Sequence, residues 1–360
     1  MRRLVILVAA IIPVSASCAQ EWRSASIFPA LEDHPTAERH RPGKACETPP
    51  PPVVDFASVS KYGQGNTTNS TVIDPDSAAQ YEQDVKPVGD FAREIVKRAN
   101  HFVEGRPTGV YDAQCALDWL DAWARGGALL GELNSQGVSI RKWELATFAT
   151  TLLKIDRAGL DEAKRRRVKA WIHDLALAAK EDYSTKLRLK SRQNNHLYWA
   201  GWGVASAGIV TNDRALFDWG IDRYREAVSD IRDDGALPLE LDRRTRAAGY
   251  HMFALQPLIM LAEAGEANGI DMYGYQDHRL KRLIDLNIAA LDDMDAIGKL
   301  NGYKQQDLYT ETALSWMEPY YARFHDKRVV PWLEKYRPMG SRRTGGNMTA
   351  LYFPFQPVKK

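Results

Sequence analysis

Cysteine is scarce in this chain, with three residues among 360, at Cys18, Cys46 and Cys115. No Cys or His grouping has the spacing of a zinc site, so no metal ligands are expected. Glycine-rich phosphate loops are absent, and with them any signature of a nucleotide cofactor. Charge of one sign is lacking too. The 48 basic and 46 acidic residues leave a net charge of only +2, which supplies no bulk field for nucleic acid. The one basic run, Lys164-Arg165-Arg166-Arg167, reads as a solvated helix face. Beyond the N-terminus no apolar run approaches the roughly 18 residues of a membrane helix. Alternating strand patterns are scarce.

What is present begins with a targeting segment. Arg2 and Arg3 precede an apolar run from Leu4 to Val14, and small residues follow through Ala19. This fits a cleaved secretory signal over residues 1–19, too short to span a membrane. A lipoprotein signal ending at Cys18 is disfavoured, because Ser15 stands where an aliphatic residue is usual. Removal of the signal leaves Cys46 and Cys115. An even pair in an oxidising compartment permits one disulfide, which would tie the arm to a core helix.

Residues 20–58, with Pro49 to Pro52 in succession, read as an extended arm. Residues 60–74 contain Gly63, Gly65 and many small polar side chains, and read as a mobile loop within a single domain over 59–360. Helical periodicity dominates from there. Val88, Phe91, Ala92, Ile95, Val96, Ala99 and Val103 form one stripe. Further helices are expected at about 113–125, 140–156, 159–182, 195–210, 213–230, 246–266, 277–296, 309–324 and 328–336. The fold class is therefore all-α, with antiparallel helices joined by short loops. Periodicity leaves toroid and solenoid open.

The densest chemistry lies in Asn194-Asn195-His196-Leu197-Tyr198-Trp199, just ahead of an apolar helix. Asn194 can cap that helix. Asn195 and His196 then fall in its first turn, where unpaired N–H groups and the helix dipole favour an anion. Amides and an imidazole beside flat rings suit an acidic sugar, with Tyr198 and Trp199 as stacking platforms. The tryptophans Trp119, Trp123, Trp143 and Trp202 recur at helical spacing and are assigned to the core.

About fifty residues on comes Glu240-Leu241-Asp242-Arg243, then Gly249-Tyr250-His251. These blocks are preceded by Ser60-Lys61-Tyr62 and by Leu117-Asp118-Trp119-Leu120, and followed by Trp316-Met317-Glu318-Pro319-Tyr320. In this order the chain resembles the alginate lyases of polysaccharide lyase family 5, the periplasmic mannuronate lyases. The resemblance implies an incomplete (α/α) toroid with a deep groove, a periplasmic location and a mannuronate-rich polymer as partner, with the alginate export machinery as a further one. It puts Asn195, His196, Arg243 and Tyr250 on the carboxylate-binding and catalytic positions, and Lys61 and Tyr62 on a lid. Gly201 and Gly203, which would interrupt the helix after His196, depart from the pattern, as does Gly249 before the tyrosine.

Those residue types suit β-elimination from a uronate. The C5 proton becomes acidic only once the adjacent carboxylate is neutralised; a base must then remove it, and an acid must protonate O4. Asn195, His196 and Arg243 can neutralise the carboxylate without a metal. Tyr250 follows Arg243 by seven residues, two turns if one helix spans both, and a nearby cation would lower its pKa. Its neighbour His251 would point elsewhere. The alternatives are a lyase for another polyuronate, or a glycoside hydrolase on the same toroid using Glu240 with Asp242 or Asp118 with Asp121 as its carboxylates. A silent polysaccharide-binding protein of an export machine is a third possibility.

Overall fold

The computed structural model describes residues 22–31, 43, 45–62, 72–186, 193–306 and 312–353, without the side chains of 185 and 186. The signal segment and most of the expected 60–74 loop lie outside the described residues. No described helix is long and apolar enough to cross a membrane.

Helices α1 (Pro75–Val103), α2 (Gly109–Arg125), α3 (Ser135–Ile155), α4 (Glu162–Glu181), α5 (Asn195–Thr211) and α6 (Arg214–Ser229) are followed by the short α7 (Pro238–Leu241). Then come α8 (Ala247–Ala267), α9 (Tyr275–Asp292), α10 (Asp295–Asn301), α11 (Met317–Phe324), α12 (Val330–Tyr336) and α13 (Met348–Tyr352). A two-stranded antiparallel ribbon, β1 (Gly340–Ser341) with β2 (Gly346–Asn347), interrupts the last helices.

The helix starts have local causes. Asp74 caps α1 by accepting from the Ser77 N–H, with Pro75 at the first helical position. Asn134 caps α3, accepting from the Gln136 and Gly137 N–H groups. Asn194 caps α5 as expected, accepting from the His196 N–H.

The long helices alternate between two layers. α1, α3, α5 and α8 pack in sequence as an inner row, while α2, α4, α6 and α9 lie outside. This is an incomplete (α/α) toroid. Burial follows the layering: α5 has 15 of its 17 residues buried, the pattern of a helix enclosed on every side. The outer α6 is buried along one face only.

Gly201 and Gly203 do not interrupt α5, which runs unbroken. They are contact positions. A Cβ on Gly201 would stand 2.8 Å from the Arg223 Cβ of α6, and one on Gly203 only 2.7 Å from the Lys142 carbonyl of α3. Their absent side chains let three helix backbones approach closely.

Two expected helices differ from the structure. The one at 277–296 divides, because Asp293 is extended and its carboxylate accepts from the Asp295 N–H, starting α10. The one at 309–324 begins only at Met317, since the described residues before it form turns closed by Met317 N–H to Leu314 O and Ser315 Oγ to Thr312 O.

Residues 45–58 of the arm pack as an extended strap. Cys46 and Cys115 form a disulfide, with Cα atoms 5.6 Å apart and a sequence separation of 69. In the chain-entropy picture a loop of that size stabilises by about 4 kcal/mol. Next to it the indole N–H groups of Trp119 and Trp123 donate to the carbonyls of Glu47 and Pro50 at 2.7 and 3.0 Å. At the other end of the chain, Glu318 is fully buried against Arg337, so the Trp316–Tyr320 block anchors the core.

Candidate active site

Asn195 and His196 lie in the first turn of α5 and Tyr250 in the first turn of α8, two adjacent inner helices. Asn195 opens α5. Its backbone N–H and its Nδ2 donate to Glu240 Oε1 at 2.8 and 3.0 Å, and Nδ2 also reaches Oε2 at 3.1 Å. Its own Oδ1 is buried with no hydrogen-bond partner. Glu240 has no exposed surface, and burial raises its pKa against the pull of Arg243 and Asn195. A carboxylate so enclosed orients Asn195 and cannot serve as a hydrolase acid in the groove. The other proposed carboxylates fare no better. Asp118 pairs with Lys164, and Asp121 with Arg125 and Arg167, on the outer helices α2 and α4. Asp242 is exposed beside the buried Glu240.

Arg243 lies 9% exposed, its Nε 3.9 Å from Glu240 Oε2. The expected single helix through Arg243 and Tyr250 is absent. Arg244 takes a left-handed conformation (φ 52°), and α8 starts only at Ala247. The two side chains meet all the same, with the Arg243 guanidinium 4.5 Å from the Tyr250 ring centroid.

The Tyr250 hydroxyl lies 2.7 Å from the Tyr62 hydroxyl, which also accepts from Arg246 Nη1 at 3.2 Å. The Arg246 guanidinium stands 5.7 and 5.9 Å from the centres of the two rings. Burial first, and Tyr62 second, push the Tyr250 phenol well up, while Arg243 and Arg246 pull it down. The cation acts in the expected direction, but desolvation wins, and the net lowering expected from the sequence is corrected to a rise. Lys61 places its ammonium 5.2 Å from the Tyr62 ring centre, and its carbonyl accepts from the Asp74 N–H at 3.0 Å, which joins the two roots of the loop. Residues 63–71 of the expected lid lie outside the described residues.

His196 is half-buried at the start of α5, and its Nδ1 lies 2.7 Å from Lys142 Nζ of α3. Its ring faces Trp143 at a centroid distance of 5.9 Å. Here the aromatic assignments exchange places. Tyr198 and Trp199 are 2% and 0% exposed, with Trp199 packed on Phe253, so they are core residues rather than sugar platforms. Trp143, assigned to the core from its spacing, is the half-buried ring next to His196.

Lys142, Tyr183, Arg246 and Arg343 were not singled out from the sequence. Arg343 sits in the β1–β2 turn with its guanidinium 4.4 Å from the Trp143 ring centre. The Trp202 indole holds the Arg343 carbonyl at 2.8 Å, and the adjacent Arg342 pairs with Glu144 at 2.7 Å. Arg343 itself has no carboxylate within ion-pair reach among the described residues. No group of three or more His, Cys, Asp or Glu side chains among them could hold a metal ion.

His251, next to Tyr250, is fully buried and structural. Its Nδ1–H donates to the Ala247 carbonyl at 2.8 Å, and its Nε2 accepts from the Leu237 N–H at 3.0 Å. It therefore bolts the segment carrying Glu240 to the helix carrying Tyr250. Burial lowers its pKa to about 4. The unfolded chain, with a value near 6.5, takes up a proton at pH values where the folded chain does not. The stability this group supplies is complete above about pH 6.5 and is lost as pH falls towards 4, by about 3 kcal/mol in all. Chemical-denaturation midpoints should drop between pH 7 and 4.5, and drop less in His251→Gln. Equal pH slopes in the two proteins would show that His251 does not control this loss.

Comparison with known proteins identifies the family. Residues 58–297 match the family model described as alginate lyase. An alginate lyase of Azotobacter vinelandii is 33% identical over 324 residues, covering 86% of this chain and 84% of the relative. One from Pseudomonas paraeruginosa is 31% identical, covering 88% and 87%. A polysaccharide lyase of Stenotrophomonas maltophilia is 34% identical, covering 85% and 90%. Among solved structures, alginate lyase A1-III from Sphingomonas species A1 superposes with a TM-score of 0.74 at 27% identity, covering 94% and 97%. A Tyr-to-Phe variant of alginate lyase A1-III complexed with a tetrasaccharide reaches 0.76 at 27% identity, covering 92% and 96%. By sequence over most of its length and by fold, the chain belongs to the alginate lyase family.

Proposed function

We propose that the chain is an endolytic lyase of mannuronate-rich alginate, acting in the periplasm by β-elimination and leaving 4,5-unsaturated uronate ends. The observation that carries this reading is the Tyr62–Tyr250 hydroxyl pair, 2.7 Å apart and flanked by Arg243 and Arg246. It places one acid–base group beside a permanent cation.

In the mechanism, Arg243, Asn195 and His196 take up the carboxylate of the sugar whose C5–H is removed. Positive charge and donated hydrogen bonds stabilise the enolate that develops there. Tyr250 removes the C5 proton. Since burial pushes its phenol up, Tyr250 must first give up its own proton, and the Tyr62 hydroxyl is the adjacent relay, taking that proton as it passes its own on to solvent. The C4–O4 bond then breaks, a C4=C5 double bond forms, and Tyr250 returns the proton to O4. One residue can serve both ends only where C5–H and O4 share a face of the ring, as in mannuronate. Arg343 on Trp143 fits the carboxylate of a neighbouring sugar, and Lys61 with Tyr62 closes over the bound chain.

The experiment is digestion of alginate in EDTA with parallel measurement of viscosity, reducing ends and near-ultraviolet absorbance. The expected result is a rapid fall in viscosity, with one conjugated double bond per new reducing end and full activity in chelator. Reducing ends without absorbance would mean hydrolysis. Activity lost in chelator and restored by a divalent ion would mean a metal-assisted elimination.

A further inference from the structure

Lys142 lies in the middle of α3 with none of its surface exposed. A buried lysine needs a reason, because the charged form loses its hydration there. Its surroundings are built to hold a cation. Nζ donates to the Tyr183 hydroxyl at 2.6 Å and lies 4.4 and 4.9 Å from the ring centres of Trp143 and Tyr183. Aromatic faces attract a desolvated ammonium. Tyr183 is presented by a π-helical turn, Asp182–Lys186, a geometry common at functional sites. The turn is fixed in register, since Arg141 pairs with Asp182 while its neighbour Lys142 pairs with Tyr183.

A further contact is with His196 Nδ1 at 2.7 Å. An ammonium has hydrogens to give and no lone pair to receive one. Nδ1 must then accept, and the ring proton of neutral His196 sits on Nε2. We propose that Lys142 is a positioning residue that locks His196 as its Nε2–H tautomer, so that His196 meets the substrate as a hydrogen-bond donor and not as a base. A positive charge at this distance also opposes formation of an imidazolium. The fold imposes the opposite tautomer on His251, whose Nδ1–H is held by a carbonyl. So the two histidines are assigned by their partners rather than by chance.

The consequence for specificity rests on the mannuronate reading; the tautomer does not. In guluronate C5–H and O4 lie on opposite faces, and elimination needs a base opposing Tyr250. A His196 already protonated on Nε2 cannot fill that place.

The test is long-range ¹⁵N–¹H correlation on the enzyme with ¹⁵N-labelled histidine at pH 7, with His196 assigned among the eight histidines by His196→Gln. His196 should show a protonated Nε2 and a bare Nδ1. In Lys142→Met, a change close in volume, its two nitrogens should move towards the averaged shifts of exchanging tautomers. kcat should fall at least about tenfold, with a smaller change in KM, since the lost interaction belongs to the transition state. A wild-type proton on Nδ1, or on both nitrogens, would overturn the proposal. So would a Lys142→Met enzyme with an unchanged His196 pattern and unchanged kcat. The wild-type spectrum decides the tautomer even if the variant fails to fold. An Nε2–H His196 in an enzyme that cleaves guluronate blocks equally fast would leave the tautomer standing and remove the mannuronate reading.

Discussion

Tyr250→Phe should reduce kcat by roughly 10²–10⁴-fold, the usual contribution of a general acid–base group, while folding and polymer binding persist. The substitution removes one oxygen and keeps the ring under the Arg243 guanidinium. Burial of the neighbouring core is untouched, so the denaturation midpoint should change little. The hydroxyl lost is the one that meets Tyr62 at 2.7 Å. If proton transfer runs through that pair, no other described phenol stands ready to replace it. Retention of more than about a tenth of wild-type kcat would take Tyr250 out of the mechanism. Loss of polymer binding together with activity would instead assign it to the groove wall.

Arg243→Ala should lower kcat/KM by on the order of 10²–10³-fold, the cost of losing one donor to a developing oxyanion. A second effect separates this arginine from a simple binding residue. Arg243 is one of the two cations that pull the Tyr250 phenol down against burial. Its removal lets that phenol rise further, so the pH at which kcat/KM climbs should move in the alkaline direction as well. Stability should suffer too, because Glu240 is left buried with a guanidinium missing 3.9 Å away. A uniform drop across pH, with no displacement of the profile, would confine Arg243 to carboxylate binding.

The all-α class and the cap at Asn194 were legible in the sequence for local reasons, whereas the toroid followed only from the family resemblance. Apolar residues at helical spacing and an asparagine ahead of them act within a few positions of the chain. The Cys46–Cys115 bridge was legible from parity once the N-terminal cysteine was set aside. What failed was orientation. Tyr198 and Trp199 share the site's sequence neighbourhood, but α5 is enclosed on all sides, which turns both rings inward. Trp143 comes from another helix and reaches His196 only through the packing of α3 on α5. Arg243 and Tyr250 meet across a left-handed residue rather than along one helix, so that expectation held for a different reason. Glu240 looks like a catalytic carboxylate when its spacing alone is considered; its burial under Asn195 makes it a support. Lys142 could not be found from the sequence at all, since it lies 54 residues from His196 and lysine is ordinarily exposed.

The central claim is that one tyrosine removes C5–H and protonates O4 on the same face of the sugar. Initial rates of near-ultraviolet absorbance on purified mannuronate and guluronate blocks, at matched uronate concentration and in chelator, test it most directly. The account predicts rapid elimination on mannuronate blocks, at least about tenfold slower elimination on guluronate blocks, and loss of both rates in Tyr250→Phe. Equal rates on the two blocks, or a faster rate on guluronate, would contradict it and require a second base across the ring from Tyr250.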